Sequence, residues 1–147
     1  MKIKNKTIEF KSTKTLDFID VTENIEEFVK ETQIENGIIN IQILHTSAAL
    51  IVNENEPLLI NDIKKNIEKI ALSTGNYEHD DFEKRTVNMC DNECKNGHAH
   101  CKAIYLSVNV ALNIIDKNLQ LGQWQRVFLV ELDRPRPRKI QLQILGN

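Results

Sequence analysis

The sequence predicts an α+β fold: a single compact domain of mostly antiparallel β-sheets packed together with two to three helices. Two observations predict this class. In the first half, runs rich in β-branched residues alternate with two stretches of helical period, and in the second half three β-rich runs follow one another. Successive strands without an intervening helix are typical of antiparallel sheets.

The first half of the chain contains the two clearest helix signals. Residues 2–11, in which Ile8 and Phe10 alternate with polar side chains, predict an outer strand. Asp20 and Glu23 have the spacing of a capping box and predict a helix over about 21–32. Pro57 suits the first position of a second helix over about 57–71.

Between these helices lies a strand with one polar face. Ile39, Ile41 and Ile43 fall on one side of this strand, because side chains alternate between the two faces. The strand ends next to His45, and the apolar run from Ala48 to Val52 predicts another strand.

The second half begins with residues 73–97, which have no hydrophobic period. Such a long segment inside a compact domain is usually functional or disordered. A short helix is predicted around 98–106, followed by strands over 107–115, 124–132 and 138–145. Trp124 is expected to pack in the core or at an interface.

Length and charge limit the function classes. The 147 residues fit one domain, 1–147, and the net charge of −2 gives no basic field for nucleic acid. Neither a secretory signal nor a run of roughly 20 apolar residues is present, so no membrane partner is expected. The three cysteines cannot all pair, which favours reduced thiols and a cytoplasmic location.

The stretch from Asn76 to Cys101 is the place to look for chemistry, because it holds three of the four histidines and all three cysteines. His45 is the remaining histidine. If the two regions meet in the fold, they form a polar pocket rich in imidazole. Within the stretch, His79 followed by Asp80 and Asp81 also suits acid–base chemistry, although a solvated acidic turn has the same pattern.

One alternative within this stretch is a closed structural zinc site. Its potential ligands are Cys90, Cys94, His98, His100 and Cys101. The spacing lacks a CxxC pair, so reduced loop thiols remain the simpler interpretation.

Two further groups suit phosphate chemistry. One group consists of side chains with oxygen atoms near the second helix: Asn53, Glu54, Asn55 and Asp62. Such oxygens can hold Mg²⁺ with a pyrophosphate, although polar residues at a helix start also serve as caps. Arginines at 134, 136 and 138, with Lys139, form a cationic segment, and guanidinium groups match phosphate oxygens. Alternate arginines on an edge strand are also common at solvated faces and subunit interfaces.

Five separated blocks carry a resemblance to a known family. They are HTSAALIVNENE at 45–56, YEHD at 77–80, NGHAHCKA at 96–103, LGQWQRVFLVELD at 121–133, and the Arg-rich segment before IQLQILG. Together, over about residues 8–146, these blocks resemble the YjbQ family, also called UPF0047 or the secondary thiamine-phosphate synthase family.

The resemblance implies a YjbQ-like α+β fold assembled as a homotrimer. It also implies an enzyme that joins a hydroxymethylpyrimidine pyrophosphate to a thiazole phosphate, giving thiamine phosphate. The small phosphorylated substrates and other copies of the chain are then its partners.

The resemblance also implies candidate site residues. His45, His79 and His100 match histidines of the family, and three imidazoles can bind a divalent metal, Zn²⁺ or Mg²⁺, or an anion. The supporting residues fall into two groups: Glu131 is a further catalytic candidate, and the substrate-binding candidates are Asn53, Asp62, Gln125, Arg136 and Arg138. His98 ranks below the other histidines, since in a helix a residue two positions before His100 points about 200° away from it.

Two rival functions use the same histidines. One is a trimer that binds a metal or small ligand without turnover, and the other is a hydrolase with a metal-activated water. An open coordination position beside a phosphate pocket favours an enzyme, whereas a closed Cys/His shell favours a structural site.

Overall fold

The strands form two antiparallel sheets. In the computed structural model, which describes all 147 residues, the strands are β1 (Lys2–Lys11), β2 (Asp17–Asp20), β3 (Gly37–Ile43), β4 (Ala48–Glu54), β5 (Asn109–Ile115), β6 (Asn118–Leu119), β7 (Gln125–Glu131) and β8 (Pro137–Gly146). One sheet has the order β1-β8-β3-β5-β6 and the other β2-β7-β4. The helices are α1 (Thr22–Thr32), α2 (Pro57–Ile70) and α3 (Gly97–Ala103), with a 3-10 turn at Glu78–Asp80.

The main core lies between the two sheets. Ile39, Ile41 and Ile43 of β3 are buried in it, as are Val127 and Leu129 of β7. Helix α1 closes this core with its apolar face. The predicted alternation of β3 is therefore confirmed, because its isoleucines are the face turned to the other sheet.

The opposite face of the three-stranded sheet carries a second, smaller core. Phe128 and Val130 of β7 pack there with Ile67 of α2 and Ala99 of α3. Strand β7 is thus buried on both faces, which explains its continuous apolar run. This second layer holds α3, and with it His100, against the sheet.

The α+β class with antiparallel sheets and helices is confirmed, and most predicted elements lie within two residues of the observed ones. The capping box is wrong: α1 begins at Thr22 after Val21, and Asp20 instead accepts hydrogen bonds from the N–H and hydroxyl of Thr22. Strands β2 and β6 were not predicted, since they are too short for an alternation to be visible.

The segment between α2 and α3 contains no long helix or strand. It contains the 3-10 turn and leads into α3 at Gly97. None of the helices is long and apolar enough to cross a membrane. After α3 the chain enters β5 of the larger sheet. The long loop and α3 lie beside the connection between β3 and β4.

Candidate functional site

An open cleft of about 810 Å³ lies where the β3–β4 loop, the long loop, α3 and the start of β8 meet. Five of the candidate residues line it: His45, His79, His100, Arg136 and Arg138. The structure therefore brings together three histidines from three separate segments, beside two arginines of the closing segment. This arrangement provides the imidazole-rich pocket that the sequence predicts.

Arg138 forms part of the cleft wall through a buried ion pair. Its Nε donates to Glu131 Oε2 at 2.7 Å and its Nη2 to Glu131 Oε1, while Nη2 also donates to Ser47 Oγ at 3.1 Å. Both residues are at most 2% exposed. Nη1 makes no hydrogen bond in the protein and is not sealed from solvent, so it is the donor that Arg138 can offer to the cleft.

Glu131 has no capacity left for a substrate. Its Oε2 also accepts from the Ser12 hydroxyl at 2.8 Å and its Oε1 from the Asp133 N–H at 2.9 Å. The residue does not line the cleft. Its place is behind Arg138, whose guanidinium it orients, rather than among the groups that can contact a substrate.

Arg136 is more accessible than Arg138. Its Nη1 donates to Asp133 Oδ2 at 3.0 Å, and the side chain is 37% exposed. Its backbone is fixed on both sides, because its N–H donates to Ser12 Oγ and its carbonyl accepts from the Ser12 N–H. A rigid backbone with a partly free guanidinium suits recognition of an anion.

His45 is held by the start of β8. Its Nε2 accepts the backbone N–H of Lys139 at 2.8 Å, so the neutral ring carries its proton on Nδ1. Burial, and after it the charges of Arg138 and Arg136, lower the pKa of His45. Near neutral pH, His45 therefore presents an uncharged N–H donor.

His79 and His100 form a close pair across the cleft end. Their ring centroids are 4.7 Å apart, with the planes inclined at 61°. Burial, and after it the neighbouring His79, lower the pKa of His100. A bound anion would offset both effects, so His100 is placed to gain a proton when a negative ligand arrives.

Arg85 organises the loop that carries His79. Its guanidinium donates to the backbone carbonyls of His79, Val87 and Asn88, the last at 2.6 Å. It also lies 3.5 Å from Glu93. Sequence reasoning missed Arg85, because a single arginine in an aperiodic loop has no distinguishing pattern.

The start of α3 is fixed to the same loop. Asp80 Oδ1 accepts the N–H groups of Asn96 and Gly97 at 2.8 and 2.9 Å. A Cβ on Gly97 would lie 2.5 Å from Tyr77 Cβ, so only glycine allows this close approach. Asp80 and Gly97 thereby set the position of α3 and of His100.

Asn96 lines the cleft and is 6% exposed. Its Nδ2 donates to Asp133 Oδ2 at 3.1 Å, whereas its Oδ1 is buried without a hydrogen-bond partner. An unsatisfied buried acceptor costs about 1–3 kcal/mol. Asn96 belongs to the NGHAHCKA block, yet nothing in the sequence separates it from an ordinary polar residue before a helix.

His98 faces away from the cleft, as its lower ranking anticipated. Its Nδ1 lies 3.3 Å from the Nζ of Lys102, which also donates to Glu68 at 2.6 Å and to Ser73 at 3.0 Å. Lys102 is fully buried. This network joins α3 to the end of α2 and so supports the helix that carries His100.

Comparison with known proteins agrees with this architecture. The UPF0047 protein YjbQ-like family profile matches residues 6–147. The chain belongs to this family. It is 29% identical to a UPF0047 protein of Methanothermobacter thermautotrophicus over all of this chain and 95% of that protein. It is 30% identical to the UPF0047 protein YugU of Bacillus subtilis over 96% of this chain and 98% of that one.

Solved YjbQ-like structures share the fold. A YbjQ-like protein of unknown function from Sulfolobus solfataricus P2 superposes with a TM-score of 0.88 and 31% identity, covering 99% of each chain. A hypothetical protein from Aeropyrum pernix K1 gives 0.85 and 30%, covering 98% of this chain and 99% of that one. These relatives carry no named activity, so YjbQ-like membership fixes the fold but not the reaction.

Three residues implied by the YjbQ resemblance lie outside the cleft. Asn53 is exposed and accepts the N–H of Glu54, Asp62 pairs with Lys65 at 3.0 Å, and Gln125 accepts the N–H of Gly122. None of them lines the cleft, so this chain does not bring them to the histidines. Trp124 is 64% exposed rather than in the core.

The metal sites predicted for this YjbQ-like chain are not formed by its side chains as they stand. No group of three or more His, Cys, Asp or Glu residues is placed to hold one ion. His45 Nε2 is already engaged with Lys139, and Cys90, Cys94 and Cys101 are exposed free thiols. Neither the three-histidine site nor the cysteine zinc site gains support from this geometry.

Proposed function

We propose that this cleft binds the pyrophosphate group of a small phosphorylated substrate, and that the chain is a transferase of the thiamine-phosphate synthase kind. The substrates are then a hydroxymethylpyrimidine pyrophosphate and a thiazole phosphate. The observation that carries the proposal is the position of Arg136, which lines the same open cleft as His45, His79 and His100.

Arg136 has unused hydrogen-bonding capacity. Only Nη1 of its guanidinium is occupied, by Asp133, which leaves Nε and Nη2 for oxygen atoms of a ligand. Arg138 adds its Nη1 from the cleft wall. Planar guanidinium groups bind phosphate oxygens in pairs, which makes these two side chains the natural anchors for a pyrophosphate.

The protonation state of the imidazoles depends on whether the ligand is bound. The lowered pKa values of His45 and His100 leave both rings neutral near pH 7. A pyrophosphate beside them raises those pKa values, so binding takes up protons. A ring protonated in this way can donate to the departing oxygen as a general acid.

The transfer then follows from charge development. The C–O bond between the pyrimidine methylene and the pyrophosphate breaks, and its electron pair stays on oxygen. The thiazole nitrogen uses its lone pair to form the new C–N bond, which gives a thiazolium product. Because negative charge grows on the leaving oxygen, Arg136 and a protonated His100 stabilise the transition state more than the ground state.

Pyrophosphate binding provides the first test. Titration calorimetry with inorganic pyrophosphate would compare the wild type with Arg136→Gln and with Arg134→Gln. Arg134 contacts the same Asp133 but lies outside the cleft, so it is a matched control. We expect Arg136→Gln to weaken binding about tenfold or more and Arg134→Gln to change it little. Equal effects of the two substitutions would contradict the anion pocket.

Turnover provides the second test. The wild type and His100→Asn would be incubated with both substrates, and thiamine phosphate would be quantified by chromatography. Formation of thiamine phosphate by the wild type, reduced in His100→Asn, is the expected result. Pyrophosphate binding without product would instead favour a ligand-binding protein, and release of the pyrimidine alcohol without transfer would favour a hydrolase.

We also propose that the chain assembles as a homotrimer. The connection between α3 and β5 exposes three large apolar side chains, Ile104, Tyr105 and Val108, of which Ile104 is the most exposed. Adjacent exposed apolar residues of this kind are typical of association surfaces. Light scattering is expected to give three times the chain mass of 17.0 kDa, and Val108→Glu to lower it. A single-chain mass for the wild type would contradict the trimer.

A further inference from the structure

Ser12 is a buried serine that contacts the cleft residue Arg136 but has no part in the function proposed above. It directly follows β1, it is 1% exposed, and it does not line the cleft. Its hydroxyl oxygen lies 2.8 Å from Glu131 Oε2 and accepts the backbone N–H of Arg136 at 3.0 Å. A buried hydroxyl with partners on both sides is held in one orientation.

The direction of these hydrogen bonds follows from the strength of the acceptors. The Ser12 hydroxyl has one proton, and it has two acceptors within reach, Glu131 Oε2 at 2.8 Å and the carbonyl oxygen of Arg136 at 3.1 Å. The carboxylate is the closer acceptor and, being charged, the stronger one. The proton therefore points to Glu131, and the lone pairs of the oxygen remain for the Arg136 N–H.

The backbone at Arg136 depends on this contact, because prolines flank it. Pro135 and Pro137 have no N–H to donate, so the N–H of Arg136 is the single backbone donor of residues 135–137. The pairing of β1 with β8 has Lys11 opposite Pro137, and Ser12 extends it by one residue by donating its own N–H to the Arg136 carbonyl at 3.2 Å. Ser12 thus satisfies both backbone groups of Arg136.

Glu131 also holds the second arginine of the cleft. Its carboxylate accepts from Nε and Nη2 of Arg138 directly, and it reaches the backbone of Arg136 through Ser12. A residue before a proline favours extended backbone, and side chains two positions apart in an extended segment point to the same side. Fixing the backbone at these two positions therefore sets the separation of the two guanidinium groups, while Asp133 holds Nη1 of Arg136 at its far end.

We infer that Ser12 is a positioning residue of the cleft, whose hydroxyl ties the backbone of Arg136 to the carboxylate that orients Arg138. The inference rests on the proposed function and adds to it a residue that touches no ligand. With the hydroxyl in place, an anion meets two guanidinium groups that are already at their working separation. Without it, the anion has to order Arg136 as it binds, and part of the affinity is lost.

A double-mutant cycle tests this role. Calorimetry with inorganic pyrophosphate compares the wild type, Ser12→Ala, Arg136→Gln and the variant that carries both substitutions. Ser12→Ala is expected to weaken binding about fivefold or more in the wild type, but less than about twofold in the Arg136→Gln background. The reason is that the effect of Ser12 passes through the arginine that is then missing. A loss of equal size in both backgrounds would mean a general structural effect and would overturn the inference.

Thr13→Ala is the matched control. Thr13 is the next residue, and its hydroxyl also donates to a carboxylate, that of Asp17 at 2.9 Å, but outside the cleft, so its loss should leave the affinity unchanged. If Ser12→Ala does not fold, as judged by its melting curve, Ser12→Cys replaces it, since its sulfur has a similar shape and only weak hydrogen bonds. Wild-type affinity in the Ser12 variant would overturn the inference and leave the anion pocket intact. A wild type that does not bind pyrophosphate would refute both.

Discussion

The carboxylate of Glu131 on β7 and the guanidinium of Arg138 on β8 are joined by two hydrogen bonds, the Nε–Oε2 bond being 2.7 Å long. Since β7 and β8 belong to different sheets, this buried pair ties the two sheets together behind the cleft. One ion pair therefore contributes both to the packing of the fold and to the position of a cleft residue.

Glu131→Gln is expected to lower the free energy of unfolding by about 3–5 kcal/mol, because it leaves the charge of Arg138 buried without a counter-ion. Urea unfolding followed by circular dichroism measures this change. The exposed pair of Glu9 and Lys139, 3.9 Å apart, supplies the control, and Glu9→Gln should cost less than about 1 kcal/mol. Similar losses in the two variants would show that the buried pair is not essential to the sheet contact.

Lys102→Met is expected to destabilise the protein by about 2–3 kcal/mol, since the buried ammonium group donates to Glu68 and Ser73. The matched control is Lys65→Met, whose partner Asp62 is also on α2 but in solvent, and which should cost about 0.5 kcal/mol or less.

The same network makes the effect of Lys102→Met depend on pH. Burial raises the pKa of Glu68, but the hydrogen bonds from Lys102 and Ser73 outweigh burial and lower it. A carboxylate with a lowered pKa stabilises the fold above its unfolded pKa and loses that contribution as the pH falls through the folded value. The gap between wild type and Lys102→Met should therefore narrow below about pH 4. A gap that stays constant with pH would contradict the ionic contribution of Glu68.

The stability of the ligand-free protein should fall between about pH 7 and pH 5. The reason is that His45, His98 and His100 all have lowered pKa values, caused first by burial. The unfolded chain then binds more protons than the folded one over this range, so stability rises with pH. Melting temperatures across this range measure the effect.

Pyrophosphate should oppose this acid destabilisation. Because the anion favours the protonated rings of His45 and His100, its stabilising effect should be larger near pH 5.5 than near pH 7.5. The variant His45→Gln should reduce the difference, whereas loss of His98, which lies outside the cleft, should not. A ligand effect that is independent of pH would contradict proton uptake on binding.

The sequence predicted the regular elements better than the site, for a physical reason. The alternation of Ile39, Ile41 and Ile43 is a local property, and the strand follows from it directly. The approach of His45 to Lys139 depends instead on the pairing of Ile43 with Ile140, a contact between distant segments. The grouping of His45 with His79 and His100 came from the resemblance to the YjbQ family, not from any local pattern.

The same distinction explains the misplaced site residues. Asn53 and Gln125 lie within two of the motif blocks, but both are at the end of the β4–β7 pair where Glu54 pairs with Gln125, and neither lines the cleft. Membership of a motif block does not show which way a side chain in a strand or loop points. Conversely, the hydrogen bond from Asn96 to Asp133 joins residues 37 positions apart, so no local pattern in the sequence predicts it.

Arg85→Gln is expected to loosen the loop that carries His79 without unfolding the protein. The guanidinium satisfies the backbone carbonyls of His79, Val87 and Asn88, and glutamine is too short to reach all three. Amide hydrogen exchange in residues 79–95 should accelerate, while the two sheet cores keep their protection.

Pyrophosphate affinity should fall with this change, since His79 is no longer held beside His100 and the ligand must order the loop as it binds. Lys84→Gln is the control, because Lys84 pairs with Asp81 at the surface and lies outside the cleft. We expect an affinity loss of about tenfold for Arg85→Gln and little change for Lys84→Gln. Faster exchange with unchanged affinity would mean that the loop takes no part in binding, and that the pocket consists of His45, Arg136 and Arg138 alone.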